Sequence, residues 1–179
     1  MAHSIELLLD NRGDGVIRGQ WQALADAGLP SQLRVRSDTN RPHVTLIAAG
    51  RIGPGADEAL RGLAGRFPLD CAVGAPLVFG GPRYTLARLV VPSAGLLALH
   101  ECVYRLALPH LAGEPFAHCR PGRWTPHVTL GRRFSAEQIG SAMAVVNAGD
   151  DPAGPDLAAM AAGLRRWDGD ERVDHLLIG

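Results

Sequence analysis

Apolar positions along the chain follow two periodicities. Val44 and Leu46 alternate with His43 and Thr45, and Val128 and Leu130 alternate with His127 and Thr129, the spacing of strands with one buried face. A longer alternation through Leu69, Cys71, Val73, Ala75, Leu77 and Phe79 predicts a long strand. It turns at Gly80-Gly81-Pro82 into a return strand over 84–91. Residues 5–9 predict a short apolar first strand. After a turn-like stretch at 11–15, Ile17, Trp21 and Leu24 predict a helix over 16–27 that Gly28-Leu29-Pro30 ends. Leu60, Leu63 and Phe67 predict a second helix over 54–67. Ser93 caps a third, carrying Leu96, Leu99, Val103 and Leu106, and Ser135 with Gln138 forms a capping box before a fourth, carrying Ile139, Met143 and Val146. Residues 156–167 and 172–178 predict a closing hairpin around Asp168-Gly169-Asp170.

Two of these stretches are the same word. Pro42-His43-Val44-Thr45-Leu46 recurs unchanged as Pro126-His127-Val128-Thr129-Leu130. At roughly one in twenty per position, chance repetition of a given pentapeptide is on the order of one in a few million pairs. Shifting the first half onto the second places helix on helix, word on word and hairpin near hairpin. The order helix–strand–helix–strand–strand thus occurs twice. It predicts an α+β fold: two pseudo-symmetric lobes of antiparallel sheet, approximately 1–92 and 93–179, with helices outside and a cleft between them, packed as one domain over 1–179.

Composition narrows the picture. Apolar residues make up 46% of the chain and mean hydropathy is +0.03, as in a soluble globular core. No apolar run is long enough for a membrane helix, and the first residues lack the basic start and apolar run of a signal peptide. Three cysteines without CxxC spacing fit a reduced cytoplasm better than a disulfide framework. The net charge is zero and all 18 basic residues are arginine. This argues against a broad nucleic-acid surface and excludes a Walker-type loop or any lysine–nucleotide adduct.

Strand alternation puts each word's histidine and threonine on one face and its aliphatic pair on the other. Packing alone would constrain the aliphatic face and let the other drift, yet both faces match. Paired about a pseudo-twofold axis, the words bring together two imidazoles and two hydroxyls. Imidazoles are an acid/base pair near neutral pH, and threonine hydroxyls suit phosphate oxygens. The set fits phosphoryl transfer by in-line displacement without a metal. His110, His118 and Cys119 have no companion ligands at zinc spacing, and His100-Glu101 lacks the second histidine of HExxH, since Tyr104 stands there. Tyr84 and Trp124 are candidates for stacking a base.

The two words, about eighty residues apart in a duplicated α/β pattern, resemble the two-histidine (2H) phosphoesterase superfamily. The closest branch is the 2′-5′ RNA ligase-like or RNA 2′,3′-cyclic phosphodiesterase family. The resemblance implies that His43 and His127 are catalytic and that Thr45 and Thr129 bind phosphate. It adds Arg132, five residues after the second histidine, as a further phosphate contact. Strict alternation would instead place Arg133 on the histidine face, unless a bulge at Gly131 changes the parity. Where the family often has Phe after the first word, this chain has Ile47-Ala48-Ala49-Gly50. Three activities remain open on this reading. One is a metal- and cofactor-independent cyclic phosphodiesterase that opens a 2′,3′-cyclic phosphate to a 2′-phosphate. The second is a 2′-5′ RNA ligase or 2′-5′ oligonucleotide phosphodiesterase. The third is a non-catalytic module binding RNA ends. The expected substrate is an RNA terminus or small cyclic nucleotide, handled by a cytoplasmic monomer with no membrane and no obligate protein partner.

Overall fold

The computed structural model describes residues 1–148 and 156–179. Seven strands form one antiparallel sheet: β1 (His3–Leu9), β2 (His43–Ala49), β3 (Leu69–Phe79), β4 (Tyr84–Val90), β5 (His127–Phe134), β6 (Leu157–Asp168) and β7 (Val173–Ile178). Four helices accompany it: α1 (Asn11–Asp26), α2 (Gly55–Arg61), α3 (Ala94–Ala107) and α4 (Ala136–Ala148). Among the described residues no helix is long and apolar enough to cross a membrane.

The two expected lobes of antiparallel sheet are joined in a single sheet. Its order is β1-β2-β5-β4-β3-β6-β7, and it closes on itself because β6 also pairs with β1. The first half of β6 pairs with β3 and its second half with β1. Each half of the sequence gives its hairpin to the other half's word. The β3–β4 hairpin lies beside β5, and the β6–β7 hairpin beside β1 and hence β2. The repeated words themselves are central neighbours, joined where Val44 pairs with Val128.

Local chemistry sets the helix ends. The Asp10 carboxylate accepts the Gly13 N–H at 3.0 Å, so α1 begins at Asn11 rather than at Val16. It ends before Gly28, whose φ of +71° closes it in the left-handed region. Ser93 Oγ caps α3 by accepting the Leu96 N–H. The box before α4 is reciprocal: Ser135 N–H donates to Gln138 Oε1 at 2.9 Å, and Gln138 N–H to Ser135 Oγ at 3.3 Å. The second predicted helix is shorter than its pattern, stopping at Arg61 with a separate turn at Ala64–Arg66.

One face of the sheet is apolar. Val44, Leu46, Val128 and Leu130 are all buried in a core shared with Ile17, Trp21 and Leu24 of α1 and Leu96, Leu99 and Val103 of α3. Burying a side chain of this size stabilises by about 1.5–3 kcal/mol. With the aliphatic half of each word fixed in this way, the histidine and threonine half turns to the opposite face.

Candidate active site

His43, Thr45, His127, Thr129 and Arg132 line one cleft of about 540 Å³, within the range of small-molecule sites. Antiparallel pairing at Val44 and Val128 sets the arrangement. One residue to either side, His43 comes level with Thr129, and Thr45 with His127. The two words are thus crossed, each imidazole beside the other word's threonine.

Both imidazoles are oriented in the same way. His43 Nδ1 lies 2.7 Å from the Arg41 carbonyl, and His127 Nδ1 lies 2.7 Å from the Thr125 carbonyl. A carbonyl only accepts, so Nδ1 carries the hydrogen in each ring and Nε2 is the nitrogen left to exchange a proton. Burial pushes His127 below the usual histidine range. The Thr125 carbonyl opposes that shift, and the charges of Arg132, His43 and His118 add to it.

The strands carrying the words are held by matching bonds. Trp21 Nε1 donates to the Thr129 carbonyl at 3.0 Å, and Trp124 Nε1 donates to the Thr45 carbonyl at 2.8 Å. One face of the Trp124 indole stacks on His100, with centroids 4.0 Å apart and planes 4° from parallel. His100 Nε2 in turn lies 3.1 Å from the Leu46 carbonyl and 3.0 Å from that of Cys119. Burial keeps His100 low in its range despite those carbonyls, so a neutral ring tethers the loop before β5 to β2. Trp124, a candidate for stacking a base, borders the cleft while its polar edge and one face are committed to the protein as a strand clamp. Tyr84 is not among the cleft residues. It pairs with Phe134 at the far end of β4, away from the residues that line the cleft.

Matching bulges interrupt the two words, and the one on β5 brings Arg132 to the cleft. Glu6 pairs with Thr45 and Ile5 with Ile47, leaving Leu46 as the extra residue on β2. Likewise Ala87 pairs with Thr129 and Leu86 with Gly131, leaving Leu130 extra on β5. An extra residue reverses the alternation beyond it. Arg132, opposite Thr85, therefore returns to the face of His127 and Thr129, and both Thr85 and Arg132 line the cleft. Arg133 is the extra residue of a second irregularity, with φ of +70°, and is exposed.

The sequence reading missed several cleft residues. Phe79 packs against His127, with ring centroids 4.6 Å apart at 57°. Phe116, 41% exposed, stands near His118 on the loop before β5. Glu6 sits behind His43, its Oε1 3.6 Å from Nε2. A lone acid inside an otherwise apolar strand was the available signal for Glu6. Nothing in the pattern distinguished Phe79 from the other inward residues of β3. Among the described residues, one group could offer three metal-ligand atoms: His3, Asp168 and Asp170. There His3 Nε2 is already within 3.1 Å of Asp170 and 3.4 Å of Asp168. His110 and His118 join no such group.

A family model described as the 2′-5′ RNA ligase superfamily matches residues 15–171. No curated protein sequence matches the chain. Among solved structures, the fold is similar to Kluyveromyces marxianus Usb1 with uridine monophosphate, at 14% identity and a TM-score of 0.54 over 98% of this chain and 96% of that one. It is also similar to a crystal structure of a phosphoesterase, at 16% identity and 0.51 over 98% and 93%. A Thermus thermophilus protein matches at 21% identity and 0.50 over 99% and 95%. At these identities the structures speak for the fold.

Proposed function

The chain belongs to the 2′-5′ RNA ligase superfamily of 2H phosphoesterases, and from that premise we propose that it is a metal-independent cyclic phosphodiesterase. It opens the 2′,3′-cyclic phosphate of an RNA end or nucleotide to a 2′-phosphate. The observation that carries this reading is the matched tethering of the two imidazoles. Each Nδ1 is occupied by a backbone carbonyl, leaving an Nε2 on each side of one cleft beside a threonine.

In the reaction one Nε2 takes a proton from water as its oxygen attacks phosphorus. The other Nε2 protonates the ribose oxygen as its bond to phosphorus breaks. Thr45, Thr129 and Arg132 hold the non-bridging oxygens, whose charge grows in the transition state. Phe79 or Phe116 can cover the base, and the uridine monophosphate bound by the Usb1 relative is a ligand of that class.

The test is turnover of 2′,3′-cyclic mononucleotides and of RNA ending in a cyclic phosphate, in EDTA, with products resolved as 2′- or 3′-phosphates. Sustained turnover to the 2′-phosphate supports the proposal. Activity lost in EDTA and restored by a divalent ion would overturn metal independence. Binding without turnover would leave a module for RNA ends.

A further inference from the structure

The two words are identical, but what faces them is not. Across from Thr45 stands Glu6, and across from Thr129, at the equivalent position, stands Ala87. Past the bulges the inequality reverses, with Ala48 after the first word and Arg132 after the second, both lining the cleft. A carboxylate therefore attends His43 and a guanidinium attends His127.

We infer that Glu6 is a positioning residue that keeps the proton on His43, making His43 the general acid and leaving His127 as the base. This rests on the two-histidine reading above. Glu6 is 5% exposed, and its two oxygens are divided. Oε2 receives Arg165 Nε and Nη2, both at 2.8 Å. Oε1 accepts Ser4 Oγ–H at 2.6 Å and faces His43 Nε2 at 3.6 Å. That last distance is too long for a hydrogen bond, so the Nε2–H stays available to a leaving oxygen while the charge is still felt.

Arg165 does not cancel Glu6. Its Nη1 reaches Asp174 at 2.9 Å, so one buried guanidinium serves two carboxylates. Arg165, Glu6 and Asp174 together carry one excess negative charge, which a protonated His43 balances. The other charged or titratable groups around the cleft are His127 and Arg132 of β5, His3 of β1, and His118, Cys119 and Arg123 of the loop before β5, the Cys119 thiol being pushed up by burial and so neutral. His3 is engaged by Asp168 and Asp170, and Arg132 lies on the His127 side. The attraction also shows on the acid. Burial alone would raise the Glu6 carboxyl, but His43, Arg165 and the Ser4 bond together hold it below the usual carboxylate range.

The proton balance closes. His127 Nε2 takes a proton from the attacking water, a phosphorus–oxygen bond forms, the bond to the ribose oxygen breaks, and His43 Nε2–H moves to that oxygen. Two measurements test the assignment. The first is ¹⁵N NMR of the histidine rings in the wild-type protein and in Glu6→Gln, where removing the carboxylate should let the His43 Nε2 proton leave at lower pH while His127 is little changed. A His43 ring that titrates alike in both proteins would overturn the inference, whether or not any substrate is turned over. The second is the pH–rate profile of Glu6→Gln, which keeps shape and loses charge. Its alkaline limb should move down by about one pH unit or more while the acid limb stays in place. A limb that does not move would make Glu6 a structural partner of Arg165 alone. Should Glu6→Gln not fold, Glu6→Asp, which keeps the charge but withdraws it from His43 Nε2, is compared with the wild type in the same way. The expected change at His43 without turnover of any cyclic phosphate by the wild type would remove the enzyme reading while upholding the coupling of Glu6 to His43.

Discussion

Trp21 and Trp124 make the same bond to opposite strands: each indole N–H donates to the backbone carbonyl of the threonine in one repeated word. Neither lies in the word it holds. Trp21 comes from α1 and Trp124 from the loop before β5, so each word is clamped by the half of the chain that does not contain it. Trp21→Phe would leave the Thr129 carbonyl buried without its donor, at a cost of about 1–3 kcal/mol. Trp124→Phe should cost less, since Trp124 is only partly buried. Urea unfolding checks both, and a Trp21→Phe protein as stable as the wild type would show the bond to be incidental.

Replacing either histidine by alanine removes a proton-transfer group and should lower kcat by about 10²–10⁴-fold. Steady-state kinetics on a 2′,3′-cyclic nucleotide, with circular dichroism to establish folding, make the measurement. Two folded variants with wild-type turnover would reduce the repeated word to a packing device.

Thr45→Val and Thr129→Val keep shape and delete one hydroxyl each. Where the hydroxyl holds phosphate equally in ground and transition states, KM rises alone; where the contact tightens during reaction, kcat falls as well. A mixture is expected, with kcat hurt less than by either histidine change. A threonine variant as slow as the histidine variants would mean that the hydroxyl takes part in proton transfer.

The pH–rate profile should be bell-shaped, since one imidazole must be neutral and the other protonated. With His127 as base, the acid limb should lie below the ordinary histidine value of about 6.5, because burial, then Arg132 and the other histidines, disfavour its charged form. Rate is lost as pH falls through that limb. Arg132→Gln removes one of those cations and should move the limb to higher pH. A limb that stays in place would put Arg132 away from His127 in solution.

Much of this was legible in the sequence because alternation fixes faces. The aliphatic pair of each word dictates which side its histidine and threonine occupy, and a repeated word dictates that there are two such sides. Partners are another matter, because alternation does not say which strand pairs with which. The exchange of hairpins, which sets Arg165 against Glu6 and Ala87 against Thr129, therefore had no local signature. The start of α1 was missed for a different reason. Asn11, Gly13, Asp14 and Gly15 have turn composition, but Gly13 serves close packing: a Cβ there would meet Asp10 Oδ1 at 3.0 Å and the Ala159 side chain at 3.1 Å. Trp124 read as a candidate for stacking a base, and nothing local showed that its N–H was bound for a carbonyl far away in sequence, that of Thr45.

The bulge that turns Arg132 into the cleft depends on Gly131, which supplies the last prediction. A Cβ at Gly131 would lie 2.5 Å from the Pro30 carbonyl oxygen and 2.8 and 2.9 Å from atoms of the buried Phe134 ring. Backbone cannot yield as a flexible side chain does, so Gly131→Ala forces the loop after α1 and the end of β5 apart. The cost should be about 1–3 kcal/mol, as for overpacking elsewhere in a core. Arg132→Ala touches none of this and should leave stability near the wild type while raising KM for a cyclic phosphate. The two neighbours therefore separate the shape of the strand from the charge it presents. Gly131→Ala should lose both stability and phosphate affinity, because displacing β5 moves the guanidinium it carries. Denaturant unfolding and kinetics on the same pair make the comparison. A Gly131→Ala protein with wild-type stability and KM would mean that the bulge is not what aims Arg132.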